Sequence, residues 1–329
     1  MLLAITGDAE AQVVKKKKKS TSSKSKKKKQ KLSPRQQRFM VLGLLGLAII
    51  LCIYFFFSPL SMVNSQLFHP TKAASYPDIP DDLLGAKRED VSFKTPAGVK
   101  LHGILFEMPG AKYTFLLNHG QGGNLSTHMG LVKTVLLNGQ SVLTYDYEGY
   151  GISDGVPSVA GLVEDGAAAF DFLTNEKGIK PDRIVLYGAS LGSGVAGTVA
   201  MIKPPAGLML VCPYTSLKRL ARETLPYLNL YPDFLFPQPD IGSETFLHYN
   251  AVTPVMIVHG VEDRIISVQH SKDLNAIRPY KTTLVLEKDK HHGDFSTPVL
   301  AKHVCEFLNI LNGGKYETRE CQEEVIKIH

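Results

Sequence analysis

The chain has 329 residues, 44% of them hydrophobic and 21% charged, enough apolar surface for a real core in one large or two small domains. Its net charge of +6 divides unevenly: residues 1–38 hold eleven Lys and two Arg against Asp8 and Glu10, a balance of +11, and the remaining 24 basic and 29 acidic residues give −5. A basic tail without interleaved aromatics on a mildly acidic body argues against a nucleic-acid-binding protein, and four cysteines are too few for a disulfide scaffold.

In chain order, Lys15 to Lys19 and Lys24 to Lys31 alternate with Ser and Thr. Like charges repel, so 1–38 is expected to be a disordered tail attracted to anionic lipid. Phe39 to Phe57 contains no charged residue, and a helix of that length reaches roughly 28 Å, close to a hydrocarbon core. A single transmembrane helix at 39–57 is therefore expected. The lysines before it place the N-terminus in the cytoplasm and the rest of the chain, catalytic domain included, outside it. A cleaved signal peptide fits less well, because a 38-residue n-region is long and no small-x-small site follows Phe57.

Residues 58–88, with Pro59, Pro70, Pro77 and Pro80, read as a linker to a domain spanning 89–312, followed by a polar tail at 313–329. Strands are expected at Val91–Lys94, Val99–Glu107, Tyr113–Asn118, Val142–Asp146, Ile184–Tyr187, Gly207–Val211, Val255–His259 and Thr283–Leu286. Helices are expected near Thr127–Leu137, Val159–Asn175, after Tyr187, near Val268–Ile277 and at Thr297–Leu311. This alternation predicts an α/β fold, a mostly parallel sheet with helices on both faces and an antiparallel edge made by the early strands. Residues 214–250 form an insert rich in Leu, Tyr, Phe and Pro, either a lid or acyl-binding wall or a helical excursion packed into the core. Cys305 and Cys321 are candidates for a disulfide in an oxidising compartment; Cys52 and Cys212 read as inert.

The chemistry centres on Gly188-Ala189-Ser190-Leu191-Gly192, between an apolar strand and a small-residue helix. That context makes a nucleophile elbow, the tight turn that lifts a serine Oγ out of a sheet. Gly151-Ile152-Ser153-Asp154-Gly155 fits the same pattern, but a loop precedes it and a turn with Pro157 follows, so Ser153 reads as a loop serine. An acyl-transferring serine needs a base, and a carboxylate to orient the base. Asp263, past the strand Val255–His259, is the expected carboxylate, with Glu262 its rival. His292 is the expected base rather than the adjacent His291, since Gly293-Asp294 permits a tight turn presenting its ring. No spaced carboxylate or cysteine set accompanies these histidines, so no metal is expected. The backbone N–H groups of Gln121, in His119-Gly120-Gln121-Gly122-Gly123, and of Leu191 are the expected oxyanion donors. Gly192-Ser193-Gly194-Val195-Ala196-Gly197 imitates a dinucleotide fingerprint, but it starts too late after the strand and no acid ends the next one. Its glycines are expected to permit close helix packing.

Across about residues 88–312 the chain resembles the α/β-hydrolase superfamily. The resemblance rests on His119-Gly120, the run Asp146 to Ser153, the Gly188–Gly192 elbow, His259-Gly260-x-x-Asp263 and His292-Gly293-Asp294, in that order. It is nearest to N-terminally anchored serine hydrolases related to monoacylglycerol lipases and protein depalmitoylases, which implies hydrolysis of carboxylic esters or thioesters without a cofactor; the membrane tether and the apolar insert point to lipid-like acyl substrates. A peptidase on the same fold and an inactive, membrane-tethered binding module are the alternatives. The chain departs from the family pattern at Glu148, where an arginine is usual, and at Ser267, where a proline is common.

Overall fold

The computed structural model describes residues 32–314; the lysine runs, Cys321 and most of the C-terminal tail lie outside the described residues. The chain divides into two units, the first ending at Cys52 and the second running from Ile53. Helix α1 (Pro34–Phe56) begins five residues before the uncharged stretch. Ser33 and Gln36 explain this start: each side chain bonds the other's backbone N–H, with Pro34 at the first helical position. The helix is long and apolar enough to cross a membrane.

Residues 58–88 are not a simple linker. Ser58 caps a second helix, α2 (Pro59–Leu67), whose Val63 and Leu67 are buried. The strap that follows buries Tyr76 and Ile79 and leads into strands β1 (Asp82–Leu83) and β2 (Ala86–Lys94). The strap is pinned chemically: the Tyr76 hydroxyl donates to Asp146 Oδ2 at 2.5 Å, and the Arg88 guanidinium donates to the carbonyls of Tyr76 and Ile79. The sheet thus begins at Asp82, before the expected boundary at residue 89.

The remaining strands of the main sheet are β3 (Lys100–Glu107), β4 (Thr114–Asn118), β5 (Ser141–Tyr145), β6 (Ile184–Ala189), β7 (Gly207–Val211), β8 (Val255–Gly260) and β9 (Thr282–Glu287), and outside it His69–Pro70 pairs in parallel with Gly122–Gly123. The nine lie in the order β9-β8-β7-β6-β4-β5-β3-β2-β1. Pairing is parallel from β9 to β5 and antiparallel from β5 to β1. Successive residues of a strand face opposite sides, and both sides here are apolar, as a doubly covered sheet requires. Leu116, Leu186, Leu208 and Ile257 pack with α4 (Val159–Asp171), α5 (Leu191–Ile202) and α8 (Val268–Ile277). Phe115, Tyr187, Met209 and Val258 pack with α3 (Met129–Leu136) and α9 (Thr297–Leu311).

The insert forms α6 (Leu217–Thr224), two short 3-10 turns and α7 (Glu244–Tyr249). Leu228, Phe236, Ile241 and Phe246 are buried in the main core, while Tyr214 and Leu220 face the site cavity. Core packing and a cavity wall are thus both present in one segment. The imitation dinucleotide motif serves that packing: a Cβ on Gly194 would lie 2.0 Å from the Tyr214 hydroxyl, and one on Gly197 would lie 2.4 Å from Ser243 Oγ. Cys305 is disulfide-bonded, and its expected partner lies outside the described residues. Cys52 and Cys212 are free.

Glu148 has a structural consequence. Asp165 on α4 is wholly buried; its Oδ2 accepts the Glu148 N–H at 2.8 Å, and its Oδ1 has no hydrogen-bond partner among the described residues. Burial pushes this carboxyl up to about 8, the neighbouring Glu148 and Glu164 carboxylates adding to the rise. The folded state therefore holds a proton that the unfolded chain releases near pH 4. The stabilisation is complete below that value and is lost as pH rises through about 8. Asp165→Asn, neutral throughout, is expected to raise the melting temperature at pH 8 by several degrees and to change it little at pH 4.5. Thermal unfolding followed by circular dichroism at both pH values checks this; an equal shift at both would refute it.

Candidate active site

Ser190 sits between β6 and α5 with φ 53° and ψ −120°, a sparsely populated conformation for a residue with a side chain. Space fixes its neighbours. A Cβ on Gly188 would lie 2.3 Å from the Gly192 carbonyl, and one on Gly192 would lie 1.9 Å from the Asn118 carbonyl. The turn can close only where both positions lack side chains. The Ser190 N–H donates to the Val211 carbonyl at 2.9 Å, and the Ser193 N–H and hydroxyl both donate to the Ser190 carbonyl. The strained turn is held from both sides.

Two further loops leave the same end of the sheet. After β8, Gly260 touches the loop after β9: a Cβ there would lie 2.3 Å from the Lys290 carbonyl. Across this contact the Val261 N–H donates to the Glu287 carbonyl and the Glu262 N–H to that of Lys290. The loops are laced together, which brings Asp263 and His292 face to face. His292 Nδ1 lies 2.7 Å from Asp263 Oδ2, and His292 Nε2 lies 2.9 Å from Ser190 Oγ. The three residues expected from sequence are brought together in one chain of hydrogen bonds. The rivals are not part of it. His291 Nδ1 bonds the Glu262 carbonyl at 2.8 Å, on the outside of the loops. Ser153 is buried, donates to the Asp146 carbonyl at 2.7 Å and accepts the His102 N–H at 2.9 Å, a structural role.

Burial acts to raise the Asp263 carboxyl, but hydrogen bonds from His259 and His292 and from the Ile266 amide overcome it and hold the group far below the usual range. Asp263 therefore stays ionised, as a group orienting an imidazole must. Cys212, at φ 47° after β7, brings its thiol close to Asp263 and His292. Burial pushes that thiol up to about 12, so it is neutral. A neutral thiol beside a carboxylate and an imidazole already bonded to each other makes a poor metal-ligand set.

Ser190 and His292 open into a cavity of about 460 Å³, whose walls include Gly120, Gln121 and Leu191. The expected oxyanion donors thus border the space beside the serine. A Cβ on Gly120 would lie 3.8 Å from Ser190 Cβ, so that strand-end loop passes close to Ser190. His119 stacks beneath it on His128 and is pushed down to about 3 by burial, with the neighbouring His128 adding to the fall, so it is neutral. Leu67, Leu131, Leu220, Ile265, Phe295 and Leu300 give the cavity its apolar character, and no Asp or Glu lines it among the described residues.

Sequence reasoning did not find the Ile265 and Ile266 amides, which donate to Asp263 Oδ1 at 2.8 and 2.9 Å. It also gave His259 no task, although its spacing of four residues from Asp263 after a strand end was visible. His259 Nε2 lies 3.2 Å from Asp263 Oδ2.

Residues 109–245 match the family described as serine aminopeptidase, S33. An uncharacterized Mycobacterium tuberculosis protein is 33% identical over 207 residues, covering 62% of this chain and 72% of its own. The uncharacterized protein YfhR of Escherichia coli K12 is 28% identical over 230 residues, covering 67% and 78%. Among solved structures, the Pyrococcus furiosus esterase Pf2001 aligns with a TM-score of 0.60 at 20% identity, over 75% of this chain and 98% of that one. An alpha-beta hydrolase from Vibrio vulnificus aligns with a TM-score of 0.56 at 20% identity, over 68% and 80%.

Proposed function

Because the chain belongs to the α/β-hydrolase superfamily, we propose that it is a membrane-anchored serine hydrolase that cleaves esters or thioesters of apolar, lipid-like acyl groups. The observation that carries this reading is the hydrogen-bonded line from Ser190 through His292 to Asp263, opening into an apolar cavity. Ser190 Oγ attacks the acyl carbonyl as His292 Nε2 takes its proton. The N–H groups of Gln121 and Leu191 receive the developing oxyanion. Collapse expels the alcohol or thiol, which takes the proton from His292, and water then releases the acid by the same route.

The family description favours an aminopeptidase as the second reading. Such an enzyme must bind a substrate ammonium group, and a desolvated ammonium needs an anionic partner. The absence of Asp and Glu from the described cavity wall weighs toward acyl esters. An inactive binding module would have no use for a strained serine aligned with an imidazole. The length and apolar character of α1 support anchoring, and the lysines that precede it support an extracytoplasmic catalytic unit.

Full-length protein in membranes tests this reading with a membrane-impermeant fluorophosphonate, p-nitrophenyl esters, acyl thioesters and aminoacyl anilides. Labelling from outside intact cells and turnover of esters or thioesters are expected, with no release from the anilides. Anilide turnover alone would establish the peptidase. A folded protein that neither labels nor turns over any substrate would point to the binding module.

A further inference from the structure

Asp263 serves two imidazoles. Its Oδ1 is committed to the Ile265 and Ile266 amides, and its Oδ2 faces His292 Nδ1 at 2.7 Å and His259 Nε2 at 3.2 Å. His259, near the end of β8, is wholly buried. Its Nε2 is also 3.0 Å from the Ile266 carbonyl, so that nitrogen faces a carboxylate and a carbonyl, both of which can only accept. It must carry the proton. Its Nδ1 lies 2.6 Å from Ser271 Oγ on α8, a hydroxyl able to donate to the bare nitrogen. The Ile266 carbonyl and the Asp263 carboxylate therefore fix the tautomer in which His259 donates to Asp263, and the Ser271 hydroxyl satisfies the bare Nδ1.

We propose that His259 is a positioning residue for the Ser190–His292–Asp263 site, its Nε2–H holding Asp263 Oδ2 in line with His292 and withdrawing charge from that oxygen. The inference rests on the hydrolase reading above. A carboxylate oxygen shared between two donors stabilises the imidazolium of His292 less than one reserved for it. His259 thus limits the basicity of His292 while fixing the carboxylate that orients it. The titratable groups facing Asp263 are His259, His292 and Cys212, and the Cys212 thiol is neutral across the working range. His291 is turned outward.

The test uses the full chain as wild type, His259→Leu, His259→Gln and Ser271→Ala, with a water-soluble ester and active sites counted by a fluorophosphonate burst. His259→Leu is expected to lower kcat per active site by about 10- to 100-fold, with KM within about two-fold. The acid limb of kcat/KM should move up by about half a pH unit or more, since His292 becomes more basic. His259→Gln, which keeps an N–H near the position of Nε2, should recover most of the rate and bring the limb back. Unchanged kcat per active site with an unmoved limb would overturn the proposal, as would a loss confined to the fraction of active sites. If His259→Leu does not fold, Ser271→Ala decides. Without the hydroxyl that holds Nδ1, the ring is placed less firmly against Asp263, so Ser271→Ala should give a smaller loss and a limb shift in the same direction, and no change in either would overturn the inference. Failure of the wild type to label at Ser190 would instead refute the hydrolase reading.

Discussion

Ser190→Ala is expected to lower ester turnover by about 10⁶-fold per folded molecule, the size of loss seen when a catalytic serine is removed from a complete triad. Fluorophosphonate labelling should vanish with it. The change deletes one oxygen and leaves a residue that still has a Cβ at φ 53°, so the turn and its hydrogen bonds to Val211 and Ser193 survive. A folding defect is therefore not expected, and melting temperatures should match. Ser153→Ala is the control, because it sits in the rival motif. It removes two buried hydrogen bonds, to the Asp146 carbonyl and from the His102 N–H, at a cost of about 1–3 kcal/mol. The Ser153 variant should melt a few degrees lower yet label normally. Full activity in the Ser190 variant, or loss of labelling in both, would reject Ser190 as the nucleophile.

What could be read before the fold was known depended on how local the cause was. Each expected strand of the parallel sheet exists, with ends within about two residues, because every one is a short apolar run between turn residues. The elbow was legible for a stronger reason: Gly188 and Gly192 meet backbone atoms at distances no side chain survives, so the motif states its own geometry. The strap at 69–83 was not legible. Its order comes from Tyr76 reaching Asp146, seventy residues on, and from Arg88 gathering two carbonyls, neither of which leaves a local period. The start of α1 was readable in principle from Ser33, Pro34 and Gln36, but it was hidden beneath the louder change from charged to apolar composition. At the site, side chains with distinctive chemistry could be named in advance. The amides of Ile265 and Ile266 could not, since any residue supplies an N–H and only the turn decides where it points.

Asp263→Asn is expected to lower kcat by about 10⁴-fold while leaving the fold and KM nearly unchanged, the loss typical of a triad whose imidazole is held in the wrong tautomer. The surroundings decide which way the new amide turns. Two N–H groups, from Ile265 and Ile266, converge on the site of Oδ1, so the amide oxygen must stay there and the NH₂ must take the place of Oδ2. That NH₂ then faces His292 Nδ1 at the distance where Asp263 accepted a proton-bearing nitrogen. His292 can satisfy it only by giving up the proton on Nδ1 and placing one on Nε2, where it points at Ser190 Oγ and can no longer receive the hydroxyl proton. His259 loses Asp263 as an acceptor but keeps the Ile266 carbonyl for its Nε2–H, so its tautomer need not change. Fluorophosphonate labelling should slow by a factor similar to kcat, since both need the same proton transfer. Asp263→Asn labelling at the wild-type rate would mean that the carboxylate does not set the tautomer of His292, and the task of orienting that imidazole would then pass to the loop lacing at Gly260 and Lys290.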